Sequence, residues 1–392
     1  MKIVYVSNLC SDAVFANIMD TAQKCPAMCE QKYHRVMTQG IYLATGEAVT
    51  AVTAPPVSPV THKRWFFCAK ADRDDHVCYQ YLPVVNLPGV KLIWQVIASF
   101  FACAVRCVGK EQVTVICDML CGSAAMGARA AARFFRREFT GIITDIPDFL
   151  GDTENISFLD RLLKRQMQGC DSFVLLTEEM NKKINPNGRP YCVVEGQADS
   201  YAHNLPQEEK ASPRVTMYAG AVEKIYGLDR LAQAFSQLPE AAGVLEIYGN
   251  GDYMAELKEF CKTHPNVRYM GLLPNQQIVK RERQAILLVN PRPSDAEYTK
   301  YSFPSKTMEY LASGTAVLTT RLTGIPREYD DYLLYIDDES VAGIRLSLEK
   351  ALTLSDEALI LKGQEGQRWV LKEKNSRMQA RKILHMWECT RK

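Results

Sequence analysis

The sequence has little of what marks several common protein classes. Its formal net charge is only +2 over 392 residues, which argues against binding nucleic acid through overall charge and leaves only a local basic patch for polyanions. None of the 13 cysteines form a C-x-x-C pair, so no zinc framework is expected. Several of them sit in apolar runs, which favours reduced, buried thiols in a cytoplasmic protein.

Two enzyme classes also lack their signatures. The segment after the first predicted strand is Ser7-Asn8-Leu9-Cys10 and contains no G-x-G-x-x-G, so an NAD-dependent enzyme is not expected. The six histidines are scattered, and none accompanies a nucleophile elbow. The first ten residues hold one lysine and a short apolar run, which indicates a β-strand and not a signal peptide.

Long uninterrupted hydrophobic runs are missing as well. The longest apolar stretch, residues 90–108, is interrupted by four polar residues and is short for a bilayer span. A helix at Leu92–Val108 is predicted, and a core position beneath the first sheet is favoured for it. The alternative is that Trp94, Phe100 and Phe101 dip into a membrane interface.

What the sequence does have is a regular alternation of short β-branched runs with helical segments. This pattern predicts an α/β fold with mainly parallel sheets, and the length suits two domains. Residues 181–213, rich in Asn, Pro and Gly, indicate a linker. We predict two Rossmann-like domains facing each other across a cleft, residues 1–200 and 201–370. We also predict a final helix, roughly Glu365–Glu388. Residues 371–392 are predicted to form a third segment that returns to the first domain.

The most informative stretch is residues 290–314. A predicted strand delivers Arg292 to the carboxyl edge of the second sheet, and Pro304 and Ser305 then open a helix. The free amides of its first turn, together with Lys306, provide an anion site. Glu309, one turn later, can accept hydrogen bonds from a ribose diol. Taken singly, each feature also suits an ordinary helix start or a solvated glutamate.

Here the sequence resembles a known family. The run FPSK-x-x-EYLASG at residues 303–314 is similar to the donor-binding signature of glycosyltransferase family 4, within the GT-B fold, especially of members that build capsules and exopolysaccharides. Further segments resemble the same family: Tyr218-Ala-Gly220 with Tyr226-Gly-Leu228, LEIYGNG at 245–251, NVRYMGLL at 266–273, Gln31-Lys32-Tyr33 with Gly40, and Thr144-Asp145-Ile146-Pro147.

The resemblance implies a retaining, metal-independent transfer from a nucleotide sugar, with no cofactor and with a UDP-sugar as the default donor. It implies a glycan or lipid-linked glycan acceptor in surface polysaccharide synthesis. The leaving diphosphate would be stabilised by backbone amides and by Arg292 and Lys306, since preorganised donors must meet its charge. The implied donor-binding residues are Gly220, Tyr226, Gly249, Gly251, Leu272, Ser305 and Glu309.

The sequence departs from the family pattern in three respects. Tyr301 stands where the first of two paired glutamates is usual, so Asp295 or Glu297 would have to supply that carboxylate. Ala221 and Tyr226 stand where the donor loop normally carries Arg and Lys. Phosphate binding would then depend on the basic residues of the 290–314 stretch.

The third departure concerns the first domain, where a strand that normally ends in His ends in Asp145. We predict that Asp145 orients or deprotonates an acceptor hydroxyl, and the alternative is a turn or helix cap. Asp118 is a weaker candidate for the same role.

A basic cluster completes the candidates. Arg129, Arg133, Arg136 and Arg137 fall on one predicted helical face, for which a solvated helix edge is favoured over contact with anionic lipid or a lipid-linked diphosphate. Peripheral contact with the inner membrane face is a further expectation. Two alternative functions stay open: an epimerase of the same fold, and a non-catalytic nucleotide-sugar-binding subunit.

Overall fold

The chain forms two compact units in the computed structural model. The structure describes residues 1–24, 29–109, 111–149, 158–199 and 208–391. The amino-terminal unit comprises residues 1–197 together with 375–392, and the carboxyl-terminal unit comprises residues 198–374. Each unit is built around its own mainly parallel sheet.

The amino-terminal unit has an eight-stranded sheet in the order β10-β9-β8-β7-β1-β2-β5-β4, and only β4 runs antiparallel to its neighbour. The strands are β1 (Lys2–Ser7), β2 (Val49–Thr53), β3 (Phe66–Phe67), β4 (Asp72–Arg73), β5 (Val77–Tyr81), β6 (Val84–Val85), β7 (Val113–Asp118), β8 (Glu138–Ile143), β9 (Ser172–Leu175) and β10 (Tyr191–Val193). The short strands β3 and β6 pair separately. The helices are α1 (Asp12–Thr21), α2 (Cys29–Thr45), α3 (Val90–Cys107), α4 (Gly122–Phe134), α5 (Phe158–Met167) and α6 (Glu178–Ile184).

The carboxyl-terminal unit has a six-stranded parallel sheet in the order β13-β12-β11-β14-β15-β16. The strands are β11 (Val215–Ala219), β12 (Val244–Tyr248), β13 (Val267–Gly271), β14 (Leu287–Asn290), β15 (Ala316–Thr320) and β16 (Leu334–Ile336). The helices are α7 (Leu228–Ser236), α8 (Met254–Thr263), α9 (Asn275–Gln284), α10 (Ser305–Ser313), α11 (Val341–Leu352) and α12 (Asp356–Glu373). This order is that of a doubly wound Rossmann fold, in which the strand order reverses between β11 and β14.

The predicted single helix at Glu365–Glu388 is wrong. The segment breaks at residues 374 and 375, and a separate helix α13 (Ser376–Thr390) follows. Asn375 caps α13, because its side-chain oxygen accepts a hydrogen bond from the amide of Met378 at 3.0 Å. The new helix belongs to the amino-terminal unit, where the buried Trp387 indole donates to the Thr140 hydroxyl at 2.8 Å.

The predicted arginine face is wrong in its second half. Helix α4 ends at Phe134, and Arg136 has a left-handed backbone with φ of 53°. Arg136 and Arg137 therefore do not continue the helical face of Arg129 and Arg133. The Arg137 guanidinium donates instead to the Cys107 carbonyl at 3.1 Å, at the end of α3.

The predicted linker at residues 181–213 begins too early. Helix α6 continues to Ile184, and the strand β10 follows within the amino-terminal sheet. Residues 200–207 lie outside the described residues. The division between the two units falls between Gln197 and Ala198.

A close approach between α2 and α13 yields a first prediction. A Cβ atom at Gly40 would overlap the carbonyl oxygen of Ser376, where α13 begins. We expect Gly40→Ala to lower the free energy of unfolding of the amino-terminal unit by about 1–3 kcal/mol, because backbone atoms cannot move aside as a flexible side chain can. Urea unfolding followed by circular dichroism measures this change.

Gly122→Ala in α4 is the matched control, since a Cβ there meets only the Leu163 side chain at an ordinary 3.5 Å. Equal stability of the two variants would contradict the close packing of α13 on α2.

Candidate functional site

The predicted donor residues of the carboxyl-terminal unit come together at one edge of its sheet. Gly220 follows β11, Gly249 follows β12, Leu272 follows β13, and Arg292 lies two residues beyond β14. All four strands are parallel, so their carboxyl ends share that edge. In doubly wound sheets a ligand binds at this edge, beside the reversal point that here lies between β11 and β14.

Helix α10 is tied directly to the end of β11. The buried Tyr310 hydroxyl accepts from the Ala219 amide at 2.9 Å and donates to the Ala219 carbonyl at 3.2 Å. The Lys306 ammonium also donates to the Ala219 carbonyl and lies 5.4 Å from the Tyr218 ring centroid. These contacts hold the first turn of α10 and its cation against the loop that follows β11.

Glycines in the loops after β11 and β12 bring main-chain atoms close together at this edge of the sheet. A Cβ atom at Gly220 would overlap the Lys306 side chain, and one at Gly249 would overlap the Gly220 carbonyl. Gly249 also has a φ of 135°, which L-residues rarely adopt. A Cβ at Gly251 would overlap the Val222 carbonyl. The loops after β11 and β12 therefore pack closely against each other through their backbones.

Arg292 lies between two aromatic rings. Its guanidinium carbon is 4.7 Å from the Tyr298 ring centroid and 5.8 Å from that of Tyr226. Its buried Nε has no hydrogen-bond partner among the described residues. The rings fix the position of the guanidinium, and burial raises the pKa of Tyr226, which keeps that hydroxyl neutral.

Several buried polar atoms at the ends of β14 and β15 have no partner. The described residues offer none to Asn290 Nδ2, the last residue of β14, or to Thr320 Oγ1, the last residue of β15. Within that same part of the chain, Ser302 Oγ is also unpartnered, just before α10. Buried groups of this kind cost free energy unless something satisfies them, so an edge that collects them together with Arg292 fits a polar ligand.

The start of α10 differs from the prediction in one respect. Pro304 occupies the cap position, makes no side-chain cap, and Ser305 is the exposed first residue of the helix. Ser305 therefore does not cap α10, because its hydroxyl stands one position too late. The anion site consists of the first-turn amides and Lys306, with the half-buried Glu309 one turn further on.

The position of the missing glutamate is occupied by a tyrosine that contacts a neighbouring carboxylate. The Tyr301 hydroxyl donates to Glu297 Oε1 at 3.3 Å, one turn earlier in the short helix Glu297–Tyr301. Asp295, the other predicted substitute, lies before that helix, and the two carboxylates are both exposed. This hydrogen bond favours Glu297 as the replacement for the missing carboxylate, because Tyr301 orients its side chain.

In the amino-terminal unit, Asp145 is exposed and lies two residues beyond the carboxyl end of β8. The short helix Pro147–Phe149 follows it. The neighbouring Asp148 carboxylate is held by Lys164 at 2.7 Å, and the pairing lowers its pKa against the opposing effect of burial. Asp145 thus projects from a turn braced by an adjacent ion pair.

Asp118, the weaker candidate, is buried inside a hydrogen-bonded network. Its carboxylate contacts His34 Nε2 at 3.2 Å and accepts from the Leu120 amide at 3.0 Å. His34 Nδ1 is 2.7 Å from the Tyr5 hydroxyl. Asp118 therefore organises the reversal point of the first sheet and is not presented to an acceptor. The sequence analysis missed His34, since nothing local links it to Asp118 or Tyr5.

A metal site would require several His, Cys, Asp or Glu side chains that lie close together. Among residues 1–24, 29–109, 111–149, 158–199 and 208–391, no three His, Cys, Asp or Glu side chains converge as a metal site. An Asp-x-Asp sequence occurs at Asp72 and Asp74, but both carboxylates serve local structure. Asp72 accepts from the Ser11 hydroxyl at 2.6 Å, and Asp74 accepts from the Tyr79 hydroxyl at 2.7 Å.

One known family model covers the part of the chain that contains the predicted donor residues. Residues 213–350 match the family model described as "Glycosyl transferases group 1", which spans β11 to α11 and every predicted donor residue. No curated protein matches the chain by sequence.

Solved structures match the whole chain. Sucrose-phosphate synthase from Thermosynechococcus elongatus has a TM-score of 0.69 at 14% identity and covers 100% of this chain and 99% of its own. Anabaena HepE in complex with UDP has a TM-score of 0.64 at 11% identity, covering 99% and 100%. A glycosyltransferase from Rickettsia africae has a TM-score of 0.65 at 11% identity, covering 100% and 99%.

At these identities the structural matches establish the fold, while the family model concerns the carboxyl-terminal unit. The chain therefore has the GT-B fold and carries a glycosyl transferases group 1 domain, which together support a glycosyltransferase.

Proposed function

We propose that this protein transfers a hexosyl unit from a nucleotide sugar to a glycan or lipid-linked glycan acceptor in surface polysaccharide synthesis. The observation that carries the proposal is the carboxyl edge of the second sheet. Lys306, the guanidinium of Arg292 and the first-turn amides of α10 lie at the same edge as buried polar atoms that have no hydrogen-bond partner among the described residues. Such an arrangement suits a charged, highly polar ligand.

The chemistry follows from where charge develops. Departure of a nucleoside diphosphate builds negative charge on the β-phosphate, and fixed cations and dipoles stabilise it without reorganisation. Arg292 is fixed by its two tyrosine rings, and Lys306 is fixed by the Ala219 carbonyl. Both cations are therefore in place before the bond breaks. Glu309 would bind the ribose hydroxyls.

Uridine diphosphate is the proposed nucleotide. The structurally similar HepE has been solved with UDP and with UDP-glucose, and this supports the default. The loop after β13 would meet the base through main-chain groups, with the exposed Leu272 beside it.

Retention and metal independence are proposed on two grounds. The FPSK-x-x-EYLASG run resembles retaining enzymes of glycosyltransferase family 4. Arg292 and Lys306 would also supply two fixed positive charges to the diphosphate. Neutralising that charge is the task that a divalent ion would otherwise perform.

The acceptor side is assigned to the amino-terminal unit, with Asp145 orienting or deprotonating the acceptor hydroxyl. A cytoplasmic location is proposed because the eleven cysteines whose side chains the structure describes are free thiols.

Nucleotide binding is the first test. Saturating UDP should raise the melting temperature, since a hundredfold excess over the Kd adds about 2.7 kcal/mol to the native state. EDTA should leave the shift unchanged. Glu309→Gln should reduce the shift, because the amide binds the ribose diol less well than the carboxylate.

Glu365→Gln on the exposed face of α12 is the matched control and should keep the full shift. A folded protein that shows no shift with UDP, GDP, ADP or CMP would contradict the donor site. An EDTA-sensitive shift would contradict metal independence.

Turnover is the second test. Lys306→Gln and Arg292→Gln should each lower kcat for consumption of the donor by about 100-fold or more, because each removes a preorganised cation from the transition state. Lys280→Gln, an exposed lysine on α9, is the control. Release of an epimerised sugar without any acceptor would instead establish an epimerase.

The acceptor side has its own test. Asp145→Asn should abolish transfer while leaving the UDP-induced melting shift intact, because donor and acceptor contacts lie in different units. Asp75→Asn, another exposed aspartate of the same unit, should leave transfer unchanged. Full transfer activity in Asp145→Asn would show that the turn at residues 144–147 is only structural.

A further inference from the structure

Helix α3 is packed with its small and polar residues inward and its large apolar residues outward. Its buried residues are Gln95, Ser99, Ala102, Cys103 and Cys107. Large apolar side chains are exposed along the rest of the helix: Val90, Leu92, Ile93, Trp94, Ile97, Phe101 and Val105. A surface helix of a globular protein normally shows the reverse arrangement. The predicted core position for α3 is therefore wrong.

The inward face is fixed by specific polar contacts. The Ser99 hydroxyl donates to the Ala124 carbonyl at 2.7 Å, and the Ser123 hydroxyl donates to Gln95 Oε1 at 2.9 Å. Gly127 of α4 allows the two backbones to meet, because a Cβ there would overlap the Val96 carbonyl. Helix α3 thus cannot rotate its apolar side toward α4 without losing these bonds.

The apolar surface extends beyond the helix at both ends. Near the start of α3, the Asn86 amide donates to the Trp65 carbonyl at 2.7 Å, which places the exposed Trp65 and Phe66 beside it. On the other side, the exposed Phe134 ring lies 6.5 Å from that of Phe100. We call this continuous patch the α3 surface: Trp65, Phe66, Leu87, the exposed side of α3, and Phe134.

Basic residues outnumber acidic ones in the part of the chain that carries the α3 surface. Residues 48–137 contain eleven Lys and Arg and five Asp and Glu. Lys63, Arg64, Arg106 and Arg133 among them are exposed. An apolar surface bordered by cations is complementary to a bilayer with anionic headgroups, where each cation adds about 1 kcal/mol.

We propose that the α3 surface docks this protein on an anionic lipid membrane, with α3 lying in the plane of the interface. Contrary to the expectation from the sequence, α3 is long and apolar enough to cross a membrane, and it is the one such helix among the described residues. Its polar side is bound to α4, so it lies along the membrane and does not cross it. Trp65 and Trp94 sit at the headgroup level, where aromatic side chains are favoured.

The charge pattern also separates the membrane from a second copy of the chain. A two-fold interface would bring together two surfaces that each carry more cations than carboxylates. Anionic lipid removes that repulsion. The proposal is independent of the transfer reaction, because docking needs neither donor nor acceptor.

The test is flotation of the full-length protein with vesicles, without nucleotide. Vesicles of equal parts phosphatidylcholine and phosphatidylglycerol should carry the protein, and phosphatidylcholine vesicles should carry much less. High salt should weaken the binding. Phe101→Glu should lower the partition coefficient about tenfold or more, since a carboxylate resists leaving water and repels the headgroups. Arg64→Gln should lower it about fivefold.

Leu346→Glu on α11 is the matched control, because Leu346 and Phe101 are both 63% exposed. Circular dichroism verifies that each variant is folded. Equal flotation of Phe101→Glu and Leu346→Glu would overturn the proposal. The proposal would also be overturned if the protein did not float and instead formed a dimer in analytical ultracentrifugation that Phe101→Glu dissociates. A second copy of the chain would then occupy the α3 surface.

Fluorescence gives an independent reading. Lipids brominated close to the headgroup should quench the tryptophans of the α3 surface, and Trp65→Phe together with Trp94→Phe should remove that quenching. Trp369 and Trp387, the remaining tryptophans, lie elsewhere and serve as the unquenched reference. Quenching that survives both substitutions would place the membrane contact on another surface and overturn the proposal.

Discussion

The attachment of α10 to the end of β11 is the contact on which the donor site depends. Ala219 presents one amide and one carbonyl, and the Tyr310 hydroxyl satisfies both. This buried pairing sets the height of α10 above the sheet, so the ammonium of Lys306 lies over Gly220. The helix amides, the cation and the glycine loops are thereby placed by one fixed junction, which preorganises the site for charge.

The loops on the other side of the reversal point are also packed closely against each other. Gly227 lies so close to the Pro291 carbonyl that a side chain there would overlap it. The segment that carries Arg292 is thus packed against the loop that carries Tyr226, and the guanidinium carbon lies 5.8 Å from the centroid of that tyrosine ring. Tyr226 therefore helps to position the cation that follows the neighbouring strand.

Much of the second unit could be predicted from the sequence, because its signals are local. Helix α10 begins at Ser305, directly after Pro304, as the sequence predicts, and the strand predicted before Arg292 is present as β14. The predicted donor residues meet at one edge of the sheet, since parallel strands place their carboxyl ends together. The predicted GT-B fold is confirmed by the similarity to solved structures. It could be predicted because the alternation of strands and helices is repeated twice along the chain.

The errors have non-local causes. The break between α12 and α13 depends on the docking of Trp387 on Thr140, far away in sequence. Asp118 is withdrawn from the surface by His34, which arrives from another helix. The helical period of residues 90–107 is the same whichever side faces the protein, so only the contacts with α4 reveal that the apolar side of α3 is outward.

The central claim is that the α10–β11 junction binds the diphosphate of a nucleotide. A crystal structure of the protein with UDP tests it most directly. We predict the diphosphate oxygens within hydrogen-bonding distance of the Lys306 ammonium and the Arg292 guanidinium, with the ribose hydroxyls on Glu309. A nucleotide bound elsewhere in the carboxyl-terminal unit, with the Lys306–Ala219 contact undisturbed and no phosphate beside it, would contradict the account.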